Sequence, residues 1–72
     1  MARITYDATV NAAYIYLISG VGQSSVEKTV QLGSGPYEIG VDFGHDGMII
    51  GIEVLNASKY LTEEMLEQAE KL

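Results

Sequence analysis

The stretch that decides the fold is Tyr37–Leu55, Y-E-I-G-V-D-F-G-H-D-G-M-I-I-G-I-E-V-L. Apolar residues alternate with Glu, Gly and Asp from Tyr37 to Phe43, and a second alternating run extends from Met48 to Leu55. Alternation with a period of two is typical of strands with one buried face. The Asp-Gly pair between the runs is a strong hairpin signal, so the stretch predicts one β-hairpin.

The same alternation predicts the register of the hairpin. Core-facing residues are odd-numbered on the first strand and even-numbered on the second, so the numbers of facing residues must have an odd sum. A two- or four-residue loop gives a sum of 91, whereas a three-residue loop with a bulge gives an even sum and is rejected. In this register Gly40 faces Gly51, which leaves a notch without side chains. Glu38 faces Glu53, and like charges directly opposite each other are destabilising.

The rest of the chain predicts three further strands and one helix. The strands are expected at Arg3–Tyr6, Ala13–Ile18 and Val26–Leu32. Thr62 is a good N-cap for a helix with an apolar stripe, and Lys71 is expected in the last turn of that helix. We therefore expect a single domain over residues 1–72, in the α+β class, with a small antiparallel β-meander sheet of about five strands followed by one C-terminal helix.

The length of the chain limits its stability. A chain of 72 residues buries only about 60% of its unfolded surface, and a core of this size rarely supplies more than ~3–5 kcal/mol. The sequence contains no cysteine, so no disulfide can compensate. Association with further chains is the remaining common source of burial, and we expect a homo-oligomer, most simply a homodimer.

The charge excludes two classes of partner. Ten acidic and four basic residues give a net charge of −6, whereas nucleic acids and anionic membranes require clustered Lys and Arg. The first residues, M-A-R-I-T-Y-D, lack the apolar core of a signal peptide. No apolar run approaches the ~18–20 residues of a membrane span. We therefore expect a cytoplasmic protein that binds neither nucleic acid nor membrane.

Five short motifs, taken in order, resemble a family of short prokaryotic proteins, the domain of unknown function DUF2283. The motifs are R-I-T-Y-D (3–7), A-x-Y-I-x-L (12–17), V-E-K-T-V-Q-L (26–32), H-D-G (45–47) and G-I-E-V-L-N-A-S-K (51–59). The resemblance implies a small antiparallel sheet with a C-terminal helix. It implies no established activity, so it assigns no catalytic residue and no cofactor.

Carboxylates are the sharpest chemical feature of the outward face. In the predicted registers Glu38 and Glu53 lie in one row, and Asp42 lies in the next. Clustered carboxylates can bind Ca²⁺ or Mg²⁺, and one of them can gain a raised pKa for acid–base chemistry. The alternative, which we favour, is a solvated acidic face without a metal. On this basis no catalytic residue, metal site or cofactor is assigned.

His45, the only histidine, is predicted at the tip of the hairpin. A general base requires a pocket and a partner that orients it. A hairpin tip is expected to supply neither, so we interpret His45 as an exposed residue without a chemical role.

Apolar residues also occur on the outward face of the predicted sheet. These interface candidates are Tyr14, Tyr16, Ile18, Ile49 and Leu55. A contiguous exposed apolar surface usually marks an interface. Our preferred hypothesis is therefore a non-enzymatic, self-associating binding or assembly module, with another protein as a further possible partner. A small metal-dependent or carboxylate-based enzyme is the alternative, and a toxin–antitoxin-type partner protein is a third hypothesis.

Overall fold

The computed structural model describes residues 3–20, 22–33 and 37–72. These residues form six strands, one α-helix and two short 3-10 helices. In chain order the elements are β1 (Arg3–Asp7), β2 (Ala12–Tyr16), a 3-10 helix (Gln23–Ser25), β3 (Val26–Leu32), β4 (Ile39–Gly44), β5 (Ile49–Leu55), a second 3-10 helix (Ala57–Lys59), α1 (Glu63–Gln68) and β6 (Glu70–Lys71).

The strands form one sheet in the order β3-β4-β5-β2-β1-β6, antiparallel except for the β1–β6 pair. The α+β class with a short C-terminal helix is confirmed, but the sheet has six strands rather than about five. The meander is also wrong, because β2 pairs with β5 rather than with β3. β2 is apolar on both faces and suits a central position, whereas the polar β3 suits an edge.

The β4–β5 hairpin closes with the loop that the sequence argument rejected. The Gly44 amide donates to the Met48 carbonyl (2.8 Å), and the Gly47 amide donates to the Gly44 carbonyl (3.0 Å). Three residues, 45–47, therefore lie within the loop that the Gly44–Met48 hydrogen bond closes. Gly47 has a φ of 83°, the left-handed conformation that glycine tolerates.

A bulge then restores the predicted faces. Phe43 faces Ile49, an even sum, but Asp42 faces Gly51, so Ile50 is an extra residue in β5. Beyond the bulge the sum is 93 rather than 91. The predicted register is wrong because it assumed a hairpin without a bulge. The three-residue loop and the bulge at Ile50 each add one to the sum of the facing residue numbers. Together they keep the predicted faces inward but change which residues face each other.

Alternation assigns the side chains to two faces of the sheet. The core face carries Ala13 and Val54, and the outer face carries their neighbours in sequence. In the described part of the chain the buried apolar residues are Ala13, Ile50, Val54, Ala57 and Ala69, and no large side chain is fully buried. Ala13, Val54 and Ala57 form one cluster, and half-buried side chains pack against it: Tyr6, Ile39, Ile52, Leu61 and Leu66. Three of the five buried apolar residues are alanines, so the core is thin.

The helix begins as predicted and ends early. The Thr62 hydroxyl accepts a hydrogen bond from the Met65 amide (3.2 Å), which confirms the N-cap. The helix ends at Gln68 because Ala69 adopts an extended conformation (φ −66°, ψ 152°) and the chain then pairs with β1 as β6. No helix in the described ranges has the length and apolar character needed to cross a membrane.

Lys71 caps the helix from outside it. Its ammonium group donates to the carbonyl oxygens of Leu66 (2.5 Å), Glu67 (2.9 Å) and Ala69 (2.9 Å). The sequence placed Lys71 in the last helical turn, where a cation stabilises the free carbonyls. The residue lies in β6 instead, but its charge performs that role.

Replacing Thr62 with Ala is expected to lower the free energy of unfolding by about 1 kcal/mol, because the Met65 amide loses its acceptor. Thr62→Ser keeps the hydroxyl and is expected to stay close to wild type. Urea unfolding followed by circular dichroism measures both, and equal stability of the two variants would contradict the cap.

Candidate functional site

The outer face contains a buried carboxylate, Asp42 on β4, which is only 8% exposed. The Tyr14 hydroxyl on β2 donates to its Oδ2 atom (2.6 Å), and the Thr29 hydroxyl on β3 donates to its Oδ1 atom (2.5 Å). A buried carboxylate is costly unless it is hydrogen-bonded, and here each oxygen has a donor. Tyr14 crosses β5 to reach Asp42, so the network spans four adjacent strands.

Two glycines make room for these donors. A Cβ atom on Gly51 would lie 2.1 Å from the Tyr14 hydroxyl oxygen and 2.5 Å from Cζ, so the Tyr14 ring lies directly over Gly51. A Cβ atom on Gly40 would lie 3.0 Å from Cγ2 of Thr29. The predicted notch does not exist, because Gly51 faces Asp42 and Gly40 faces Glu53. Each glycine instead accommodates one side chain that binds Asp42.

The environment of Tyr14 keeps its phenol protonated. Burial raises the pKa of Tyr14 above its usual value, and the hydrogen bond to Asp42 raises this pKa further. The ring also contacts Tyr16 edge to face, with centroids 4.7 Å apart. Cζ of Arg3 in turn lies 4.6 Å from the centre of the Tyr16 ring. Tyr14 is therefore a fixed hydrogen-bond donor rather than a base or a nucleophile.

These residues border a shallow open depression of about 580 Å³ on the outer face. Its lining includes Tyr14, Tyr16, Asp42 and Glu53 together with the first residues of β3. Throughout the described ranges, no buried side-chain nitrogen or oxygen lacks a hydrogen-bond partner. The Tyr14 and Thr29 hydroxyls and the Asp42 carboxylate satisfy one another, so hydrogen bonds within the protein account for these three groups.

The predicted acidic row is not formed. Glu38 lies opposite Leu55, whose amide donates to the Glu38 carbonyl (2.7 Å), so it does not face Glu53. Its carboxylate accepts hydrogen bonds from the Tyr60 hydroxyl (2.6 Å) and the Lys59 ammonium (3.4 Å). The Tyr60 hydrogen bond is the main cause of a lowered pKa at Glu38. Among the described residues, no three or more His, Cys, Asp or Glu side chains are grouped so that they could hold a metal ion.

His45 is exposed, as expected, but the hairpin tip does supply partners for it. Its Nδ1 atom lies 2.6 Å from a carboxylate oxygen of Glu27, and its Nε2 atom lies 3.1 Å from the Ser24 carbonyl oxygen. Both partners are acceptors, so both contacts require a proton on each ring nitrogen. The Ser24 carbonyl, followed by Glu27, raises the pKa of His45. The imidazolium therefore joins the hairpin tip to the start of β3.

The predicted interface residues separate into two groups. Tyr14 and Tyr16 are half-buried and engaged with Asp42 and Arg3, whereas Ile18, Ile49 and Leu55 are exposed. The alternation of apolar residues predicted an exposed apolar surface on the outer face only. The structure also leaves apolar side chains exposed on the core face, on the edge strand β3.

Sequence reasoning missed one polar cluster, which joins the β1–β2 turn to the corner after β5. The Asn11 amide donates to Oδ1 of Asn56 and to the Ser58 hydroxyl (both 3.0 Å), and the Tyr6 hydroxyl donates to Oδ1 of Asn11 (2.8 Å). Asn11 and Asn56 both have a φ of 54°, a conformation that asparagine adopts more readily than most residues. The only signal in the sequence was asparagine at two turn positions.

Gly51→Ala is expected to cost about 1–3 kcal/mol of stability, because the new methyl group overlaps the Tyr14 ring. In a Tyr14→Ala background the same change should cost much less, since the ring is absent. Gly22→Ala is the matched control, because no atom lies within 4 Å of its Cβ position. Urea unfolding in a stabilising salt measures the cycle, and an equal cost of Gly51→Ala in both backgrounds would refute the steric account.

His45 should make stability depend on pH in a defined direction. Its folded-state pKa lies above the unfolded value of about 6.5, so its contribution is complete below that pH and disappears as the pH rises through the folded pKa. Wild type should therefore exceed His45→Gln in stability by more at pH 5.5 than at pH 8.5. Thermal unfolding at low salt measures the difference. A gap that is constant or grows with pH would show that the imidazolium contacts do not form.

A family model described as protein of unknown function (DUF2283) matches residues 3–58. No curated protein and no solved structure matches the chain. The matched region contains β1 to β5 and the whole Asp42 network, and it ends before α1 and β6. It covers well over half of the chain and confirms the resemblance carried by the sequence motifs. The chain therefore belongs to the DUF2283 family of proteins of unknown function.

Proposed function

We propose that this protein is a small non-enzymatic assembly module that self-associates as a homodimer through the uncovered part of its core face. The observation that carries the proposal is a pair of apolar side chains on β3, Val30 and Leu32, which we call the β3 patch. Val30 is 41% exposed and Leu32 is 48% exposed.

The register places the β3 patch on the core face. Leu32 faces Ile39, which packs against the core cluster, and Val30 faces the half-buried Val41. Leu66 of α1 packs against the cluster around Ala13 and Val54, on the strands remote from β3. The apolar core face therefore extends to β3, beyond the strands β2 and β5 against which Leu66 of α1 packs.

The thin core gives a reason for self-association. Burial of apolar surface contributes roughly 25 cal/mol per Å², and a 72-residue chain has little of it to bury. The described core is built largely of alanine, while larger side chains remain exposed on β3. A second copy that packs against the β3 patch adds burial that the single chain lacks.

The geometry gives less support to the carboxylate-enzyme hypothesis. Both oxygens of Asp42 accept hydrogen bonds from protein hydroxyls, and the Glu38 carboxylate is bound by Tyr60 and Lys59. A catalytic base needs a lone pair directed at a substrate. The toxin–antitoxin hypothesis has no supporting observation here. A cytoplasmic location remains part of the proposal, as does the possibility that the dimer presents its surface to another protein.

Val30→Glu is expected to raise the dissociation constant of the dimer at least about tenfold, equivalent to about 1.4 kcal/mol, because it places a charge in an apolar contact. Val10→Glu is the matched control, since Val10 is also an exposed apolar residue but lies in the β1–β2 turn. Sedimentation velocity over a concentration series measures both variants, and circular dichroism verifies that they fold. Wild type that remains monomeric at high micromolar concentration would refute the proposal, and so would equal weakening by both variants.

A further inference from the structure

We infer that β3 pairs antiparallel with β3 of a second copy across a two-fold axis centred on Val30. This inference rests on the proposed self-association and specifies its geometry. The two six-stranded sheets then join into one continuous sheet, with both helices on the same side.

Among the described residues, β3 forms the long edge of the sheet with no strand beyond it. It lies at one end of the strand order, and every residue of it except Val26 is exposed. An edge strand presents a row of unpaired backbone N–H and C=O groups, to which a second strand can add. The strand at the opposite edge, β6, has only two residues and offers a much shorter ladder.

A bulge limits the part of β3 that can pair. The β3–β4 register shifts between Val26 and Lys28, so Glu27 is an extra residue, and the His45 contact holds it toward the hairpin tip. From Lys28 to Leu32 the register is constant. A regular ladder on the free side of β3 therefore spans these five residues.

Symmetry restricts the register of that ladder. A two-fold axis perpendicular to the sheet keeps the core faces of both copies on one side, and facing residues must share a face. The numbers of facing residues must therefore have an even sum. One residue then faces its own copy, and the axis passes midway between these two copies. Only an axis at Val30 pairs all five regular residues: Val30 with Val30, Thr29 with Gln31, and Lys28 with Leu32.

The side chains favour this register over its neighbours. A β-branched apolar pair forms at the axis, and the aliphatic stem of Lys28 lies beside Leu32 without a like charge opposite it. An axis at Lys28 would instead place two ammonium groups opposite each other, and an axis at Thr29 would bring the bulge into the ladder. The Val30 register also brings the two β3 patches into lateral contact on the core face, so that each buries part of the other, as the proposed function requires.

The absence of cysteine from the chain allows a direct test by disulfide cross-linking. Facing residues in an antiparallel pair have Cα atoms about 4.5–5.5 Å apart, which suits a disulfide. Val30→Cys therefore faces itself across the axis. Leu32→Cys is the control, with similar exposure on the same face, but its two copies are four residues out of register, about 13 Å along the strand.

Under mild oxidation at a concentration where the dimer predominates, Val30→Cys should form the covalent dimer at least about tenfold faster than Leu32→Cys, because only its thiols are held together. A mixture of Lys28→Cys and Leu32→Cys should yield the mixed dimer in preference to either homodimer. Sedimentation of each variant under reducing conditions establishes that it still dimerises.

The outcomes separate the two proposals. Dimers by sedimentation with equal rates for Val30→Cys and Leu32→Cys overturn the β3 register and leave self-association standing. Monomers by sedimentation with no preferential cross-link overturn both. Rapid cross-linking of Val30→Cys alone, together with the mixed dimer, supports both.

Discussion

The register of the sheet depends on one buried carboxylate. Asp42 is stable in its position only because a hydroxyl from β2 and another from β3 reach its two oxygens. Those hydroxyls reach it only because glycines leave space at positions 51 and 40. A shift of two residues between any two neighbours of these four strands would keep the same faces inward but would remove one of the two donors from the carboxylate. Hydrophobic alternation therefore specifies the faces, and Asp42 specifies the alignment.

This division explains how much of the fold the sequence predicted. Alternation is a local property, and it predicted five of the six strands and the faces of β4 and β5. The predicted hairpin register was wrong because the three-residue loop and the Ile50 bulge together keep the same faces inward. The period-two pattern is therefore the same with both irregularities as with neither. The helix was predicted too long because the last residues pair with β1, a contact that lies far away in sequence.

The candidate site was harder to predict than the fold, because its partners come from strands that are distant in sequence. The alternation predicted that Asp42 is a solvent-exposed acid on the outer face. Nothing near it in sequence indicated that Tyr14 would cross β5 to reach it. The pair of glycines at 40 and 51 was the usable signal, although the predicted register gave it the wrong meaning. His45 was similar, since its partners Glu27 and Ser24 become neighbours only when β3 packs beside β4.

The parallel pairing of β6 with β1 has a consequence for how such a domain can be combined with others. Residue 3 and residue 72 both lie at the edge of the sheet farthest from β3. Because β1 and β6 are parallel, a polypeptide joined before β1 would leave the sheet at one end of this strand pair, and one joined after β6 would leave at the opposite end. The fold therefore keeps both points of attachment on the side of the sheet opposite to β3.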